Sequence, residues 1–489
     1  MPPFFQSIKS IFNPIPTITG ASVNFFIAFF IAGKISIIWI GIEFGINQAC
    51  TAPLVLVTTH LGYEFSVDGQ FALIFNIKLC WLDKFYFSLQ TKTGNCPSAM
   101  PVMGIPSVPM GLRDAAMRDP VTAIPSTHLR GVNLGGWLVL EKWMTPSLFE
   151  GLAATDETTW CVEQGRDAPT RLRGHWEGFI TRKDFAWLAG VGINAVRIPV
   201  GHWIFGPPYP YHAKYGADPH PFVDGGIDVL DRALAWAEEF GLRVTLDLHA
   251  APGCQNGFDN GGIKDVCEWH TREEYLAHSV DVLGRLAEHY RSSPALYAIQ
   301  LLNEPHWDVP TTLLKAYYLR AYDAIRKHCP PERVAVIFHD GFRPHVEYLS
   351  FMQPPQYENV IFDVHRYQCF ERADLDMDIH GHLHKAGDLW RQEAEDIRRG
   401  LRLPAIVGEW SLGLDIEVVS LWAEGPFKHA LQHMDAFQKN IAYRAYGAAQ
   451  LLSFEHYSGW FFWSYRTETT PEWCFRECVE RGWLPQRFR

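Results

Sequence analysis

Two glutamates end apolar runs in the same manner. In "AIQLLNEPHW" (298–307) a run suited to a buried strand gives way to Asn303, Glu304 and Pro305. In "PAIVGEWS" (404–411) another run stops at Gly408, Glu409 and Trp410. One carboxyl group at a strand end reads as half of a salt bridge. Two that open on one cleft are what cleavage of a glycosidic bond requires: one protonates the departing oxygen, the other acts at the anomeric carbon. Pro305 is expected to hold Glu304 extended and so to fix the direction in which its side chain leaves.

These ends need elements to carry them. Short apolar stretches at 128–134, 193–200, 243–250, 296–303, 333–339, 359–365, 404–410 and 459–465 read as strands, and 226–240, 272–291 and 311–328 carry helical spacing of apolar residues. Such alternation predicts an α/β fold with a parallel sheet covered by helices. Eight repeats without a Gly-rich phosphate loop favour a closed (β/α)8 TIM barrel over an open doubly wound sheet. In that barrel all C-terminal strand ends share one face. Arg197, Asp247-Leu248-His249, Asn303-Glu304, His339-Asp340, His365-Arg366-Tyr367, Glu409 and Trp463 all fall in the C-terminal halves of their strands. One such end would be unremarkable as a cap; the set marks the working face.

The totals narrow the class. A net charge of −11, with no block of lysine and arginine, argues against a nucleic-acid partner. Eighteen tryptophans supply flat walls for sugars, or simply large core residues. Cys161, Cys254, Cys267, Cys329, Cys369, Cys474 and Cys478 are odd in number downstream of Cys50, Cys80 and Cys96 and form no C-x-x-C motif, so buried free thiols are expected. Residues 1–99 form an apolar, charge-poor extension, 100–127 a linker rich in Pro, Ser, Gly and Met, and 128–489 the catalytic domain. The stretch 21–46 is long enough for one membrane crossing, although Lys34 falls near its middle. Three readings of 1–99 stay open: an anchor, an unusual leader, or a start placed upstream of Met100, Met103 or Met110.

The motifs "RGVNLGGWLVLEKWMTPSLFE" (130–150), "NAVRIPVG" (194–201), "LDLHAAPGCQNGFDN" (246–260), "LNEP" (302–305), "VHRYQ" (364–368), "GEWS" (408–411) and "GWFFWSYRTE" (459–468) occur in this order over nearly the whole barrel. In them the chain resembles glycoside hydrolase family 5, and within it the fungal exo-β-1,3-glucanases. The resemblance implies a retaining β-glycosidase, with Glu304 as acid/base and Glu409 as nucleophile. It implies Arg197 beside the nucleophile, Asn303 on the sugar 2-hydroxyl, and His249, His365 and Tyr367 around the innermost sugar. Trp463 would be the platform under that sugar, Glu141 and Trp143 would hold the terminal glucose, and Phe258 and Phe370 would flank the entrance. It further implies a β-glucan or β-glucoside substrate and an extracellular or wall-associated setting, with a cytoplasmic one if the chain starts near Met100 without a leader. A family 5 enzyme on a β-1,4-glucan, disaccharide glycoside or glycolipid, and a carbohydrate-binding pseudoenzyme, stay open as alternatives. A monomer without cofactor is expected.

The N-terminus and the odd cysteine number depart from the signal peptide and paired cysteines of secreted relatives, which bears on secretion. Glu141-Lys142-Trp143 stands where a Glu-Pro-Tyr type of sequence is expected, which bears on substrate preference. The run 374–388 carries His380, His382 and His384, whose alternation on a strand would suit zinc; the catalytic scheme needs no metal, and none is expected.

Overall fold

The computed structural model describes residues 128–414 and 430–488, together with the backbone of five strands nearer the N-terminus. The chain divides into two units, Met1–Met110 and Gly111–Arg489. In the first, Val23–Ala32 and Ile35–Phe44 pair antiparallel, from Val23 opposite Phe44 to Ala32 opposite Ile35. The stretch read as one crossing thus contains two strands, and no described helix is long and apolar enough to cross a membrane. The linker at 100–127 and Cys50, Cys80 and Cys96 lie outside the described residues.

In the second unit eight parallel strands close into a barrel: β1 (Leu129–Asn133), β2 (Ala195–Gly201), β3 (Arg243–Ala250), β4 (Leu296–Gln300), β5 (Ala335–His339), β6 (Val360–Arg366), β7 (Ala405–Trp410) and β8 (Gly459–Phe462). Each pairs with the next in sequence, and β8 returns to β1. The expected strands coincide with these to within a few residues. Strands covered on both faces must be apolar throughout, and every residue of β2, β5 and β7 is buried. The helix Gly226–Phe240 shows why the outer layer forms. Val229, Leu230, Ala233, Leu234 and Ala237 make one buried stripe, and Gly241, at φ 69°, ends the helix in the left-handed conformation that suits glycine.

Side chains pointing into the lumen alternate along each strand. Near the N-terminal ends they are Leu129, Ala195, Ala298, Ala335, Ile337, Ile361, Ile406 and Phe461, a small apolar cluster separate from the main core. Two to four residues further along they become Asn133, Arg197, Gln300 and Asp363, none of them exposed to solvent. The lumen changes from oil to a hydrogen-bonded network within one turn of the pleat.

Candidate active site

Arg197 is the centre of that network. Its Nη1 donates to Asn133 Oδ1 at 2.8 Å and to Glu409 Oε1 at 2.9 Å. Nε donates to Gln300 Oε1 and Nη2 to Asn303 Oδ1, each at 2.8 Å, while Asp247 Oδ2 stands 3.0 Å from Nη2. A fully buried guanidinium is tolerable only when its fork of donors is filled this completely.

The second centre is His365. Its Nδ1 lies 2.7 Å from Glu304 Oε1 and 3.5 Å from Glu409 Oε2, and its Nε2 lies 3.3 Å from Asp363 Oδ2. The two glutamates therefore meet at a single nitrogen, and these oxygens can be no farther apart than 2.7 and 3.5 Å laid end to end. Tyr367 Oη donates to Glu409 Oε2 at 2.9 Å, and Asn260 Nδ2 reaches Glu304 Oε2 at 3.4 Å.

Burial works against charge on all three groups, and their mutual fields decide the outcome. At His365 burial is outweighed by Glu409, Asp363 and Glu304, which raise the imidazole well above its ordinary range. Burial likewise opposes ionisation of Glu304, but the hydrogen bond and field of His365 prevail and hold its carboxyl below the usual value. At Glu409 burial, reinforced by Glu304, keeps the carboxyl raised against the pull of His365 and Arg197. The fields of the carboxyl groups on either side of His365 thus favour its protonated ring.

Glu304 corrects one expectation. Its φ is 42°, in the left-handed region, rather than the extended conformation anticipated before Pro305. Gln255, wholly buried in the loop after β3, explains how this strain is held. Its Nε2 donates to Asn303 O at 2.9 Å and to His249 O at 2.7 Å, and its own carbonyl accepts from His306 N at 3.0 Å. One side chain and its backbone thereby pin both flanks of Glu304. Strain of this kind costs on the order of 1–3 kcal/mol and persists where the surroundings over-determine the backbone.

The remaining expected residues line the same face. His249 stacks on Trp463 with ring centroids 5.3 Å apart and planes 5° apart, and its Nδ1 lies 2.7 Å from Asp247 Oδ2. Trp463 is nearly buried and packs with Met144, Cys369 and Trp473. Trp143 donates through Nε1 to Glu141 Oε2 at 2.9 Å. Burial first, and then the field of Asp259, push the Glu141 carboxyl well above its usual range. Phe370 is exposed and meets Tyr367 edge-on at 5.3 Å; Phe258 is half-buried in the loop after β3. Among the described residues Glu141 Oε1, His249 Nε2 and Asn303 Nδ2 are buried without a protein partner. Sequence reading missed Asn133, Gln255, Gln300 and Asp363 as site residues. Counting back by twos from His365 would have found Asp363; Asn133 becomes visible only from the register that sets it opposite Arg197, and nothing in the sequence singles out Gln255.

Glu304, His339 and His365 bring donor atoms within 4.8 Å of one another. The hydrogen bonds of the two histidines leave protons there, not lone pairs. His339 Nδ1 accepts from Gly341 N at 2.9 Å, which assigns its proton to Nε2, and both nitrogens of His365 face carboxylates. The donor set does not suit a metal. The histidines at 380, 382 and 384 are not on a strand: Ile379–His384 is helical, His382 is buried against Gln368 Oε1 at 2.7 Å, and His384 pairs with Asp388. The seven described cysteines are free thiols.

Residues 161–448 match the Cellulase family, glycosyl hydrolase family 5. A probable glucan 1,3-beta-glucosidase A of Aspergillus fumigatus is 36% identical over 382 residues, covering 73% of this chain and 87% of that protein. A glucan 1,3-beta-glucosidase of Blumeria graminis is 34% identical, covering 73% of this chain and 87% of its own length. Among solved structures, rutinosidase from Aspergillus niger superposes with a TM-score of 0.58 at 19% identity, covering 73% of this chain and 98% of that one, a likeness of fold. A closed parallel barrel with two glutamates meeting across its C-terminal mouth, matched along most of its length by these relatives, belongs to glycosyl hydrolase family 5.

Proposed function

We propose that this glycoside hydrolase is a retaining, exo-acting β-glucosidase on β-1,3-glucan, with Glu409 as nucleophile and Glu304 as acid/base. The observation that carries the reading is the meeting of both carboxyl groups at His365 Nδ1. The resulting ceiling on their separation lies below the about 6.5–9.5 Å that leaves room for water in inverting enzymes, and it accommodates the about 5–5.5 Å of retaining ones. Glu409 attacks the anomeric carbon while Glu304 protonates the departing oxygen; water then releases the sugar, with Glu304 acting as base. Arg197 and Tyr367 steady the two oxygens of Glu409. The unpartnered Glu141 Oε1, His249 Nε2 and Asn303 Nδ2 suit the hydroxyls of one glucose. The linkage assignment draws on the 36% identical relative named for a glucan 1,3-beta-glucosidase.

The test is to incubate the full chain with a linear β-1,3-glucan, a β-1,4-glucan, an aryl β-glucoside and an aryl β-rutinoside, and to follow products by chromatography. Release of glucose alone from the β-1,3-glucan is expected. A folded protein that leaves that glucan intact but cleaves one of the others would replace the substrate assignment.

A further inference from the structure

Asp363 takes part in neither expected catalytic role, yet it touches the supports of both glutamates. It lies on β6 with no solvent exposure. Its Oδ1 accepts from Gly408 N at 2.7 Å, and its Oδ2 accepts from Gln300 Nε2 at 2.7 Å and faces His365 Nε2 at 3.3 Å. Gly408 immediately precedes Glu409; Gln300 also bonds Arg197, which bonds Glu409; His365 meets Glu304.

The strand register explains the first contact. Along β6 and β7, Val364 faces Val407 but His365 faces Glu409, so Gly408 is an extra residue, a bulge that sets Glu409 opposite His365. A side chain at Gly408 would place Cβ 2.3 Å from Asp363 Oδ1 and 2.4 Å from Oδ2. The glycine in Gly-Glu-Trp-Ser is therefore where the Asp363 carboxylate sits, and that carboxylate takes the amide the bulge withdraws from the ladder.

We propose that Asp363 is the positioning residue that couples the catalytic pair: it seats the bulge that aims Glu409 and holds the His365 imidazole with Nδ1–H directed at Glu304. The inference rests on the reading of Glu304 and Glu409 as that pair. His365 is faced by Glu304 from the end of β4, His339 and Asp340 from β5, Asp363 on its own strand and Glu409 from β7, with Arg197 of β2 behind Glu409. Asp363 alone among these carboxylates contacts Nε2, so its charge favours the doubly protonated ring. Removing that charge leaves His365 neutral more readily. Glu304 then loses its cationic partner and keeps its own proton to higher pH.

The test compares the wild type with Asp363→Asn and Gly408→Ala in the full chain, on an alkyl β-glucoside, whose departing oxygen needs a proton. For Asp363→Asn a fall in kcat of about 10²-fold is expected, since a misplacement near 1 Å costs that much, with KM little changed. The alkaline limb of kcat/KM should move to higher pH. Gly408→Ala, which displaces the carboxylate and keeps its charge, should lower kcat without that move. Independently of activity, the 15N signals of His365 should report both nitrogens protonated at neutral pH in the wild type and a neutral ring in Asp363→Asn. A folded Asp363→Asn with an unmoved limb and unchanged signals would overturn the proposal. So would a neutral His365 ring at neutral pH in the wild type, even if neither variant folds. Wild type inactive on every glycoside, with His365 doubly protonated as expected, would instead count against the functional reading alone.

Discussion

The two ends of one lumen are stabilised by opposite means. At the N-terminal end Ala298, Ile337, Ile361 and Phe461 fill space as one apolar cluster. At the C-terminal end Asn133, Arg197, Gln300 and Asp363 are just as buried but are bound donor to acceptor. Dispersion is forgiving of chemistry and sensitive to volume; a buried charged network is the reverse. The same β-strands can therefore supply a stable floor and a reactive ceiling, because alternation places the two sets a few residues apart on each strand.

Substitutions that cut each end test this contrast. The largest effect is expected at Glu409→Gln: loss of the nucleophile lowers kcat by at least about 10³-fold, with circular dichroism and the thermal midpoint near those of the wild type. Glu304→Gln should cost about 10²–10⁴-fold on glucan and much less on an aryl glucoside whose phenol leaves without a proton; comparing the two substrates checks the acid role. Arg197→Met breaks the ceiling itself. It leaves Asp247 and Glu409 buried without their cation, and about 3–5 kcal/mol of stability should go together with activity, read by urea unfolding and kcat. Ile337→Ala should cost a comparable about 2–5 kcal/mol while leaving kcat intact below the melting temperature. A large kcat loss from that floor substitution would erase the distinction.

Two pH effects are smaller. In the proposed roles Glu304, held below its usual range, acts protonated, and Glu409, which is raised, acts ionised. Activity should follow a narrow bell on the acidic side of neutrality, measured as kcat/KM against pH. Outside the site, the Glu157 carboxyl is buried and accepts from Leu140 N at 2.8 Å. Burial raises it from 4.5 to about 8. Because the folded state favours its protonated form, the stabilisation is full below 4.5 and is lost as pH rises through about 8. Glu157→Gln should flatten the decline of the thermal midpoint between about pH 4.5 and about pH 8.

Much of this was legible in the sequence, for physical reasons. Parallel strands buried on both faces show as unbroken apolar runs, so β1 to β8 could be placed, and a polar residue interrupting such a run, as at Glu304 or Glu409, stands out. Asn133, Gln300 and Asp363 lie inside the runs, where apolar neighbours hide them until the inward face is known. The backbone of Glu304 was misjudged because the local effect of Pro305 is overruled by Gln255, nearly fifty residues earlier in the chain. The histidines at 380–384 alternate as on a strand, yet that segment is helical. Local pattern carries the barrel; long-range hydrogen bonds carry the aim of its catalytic groups.

The most direct test of the double displacement is to trap the nucleophile. The full chain would be incubated with a 2-deoxy-2-fluoro-β-glucoside bearing an activated leaving group, digested, and its peptides weighed. The account predicts one added fluoroglucosyl mass on the peptide containing Glu409, absent from Glu409→Gln, and, in a separate incubation with linear β-1,3-glucan, β-glucose as the first product by NMR. A label on another residue, or α-glucose released first, would contradict it.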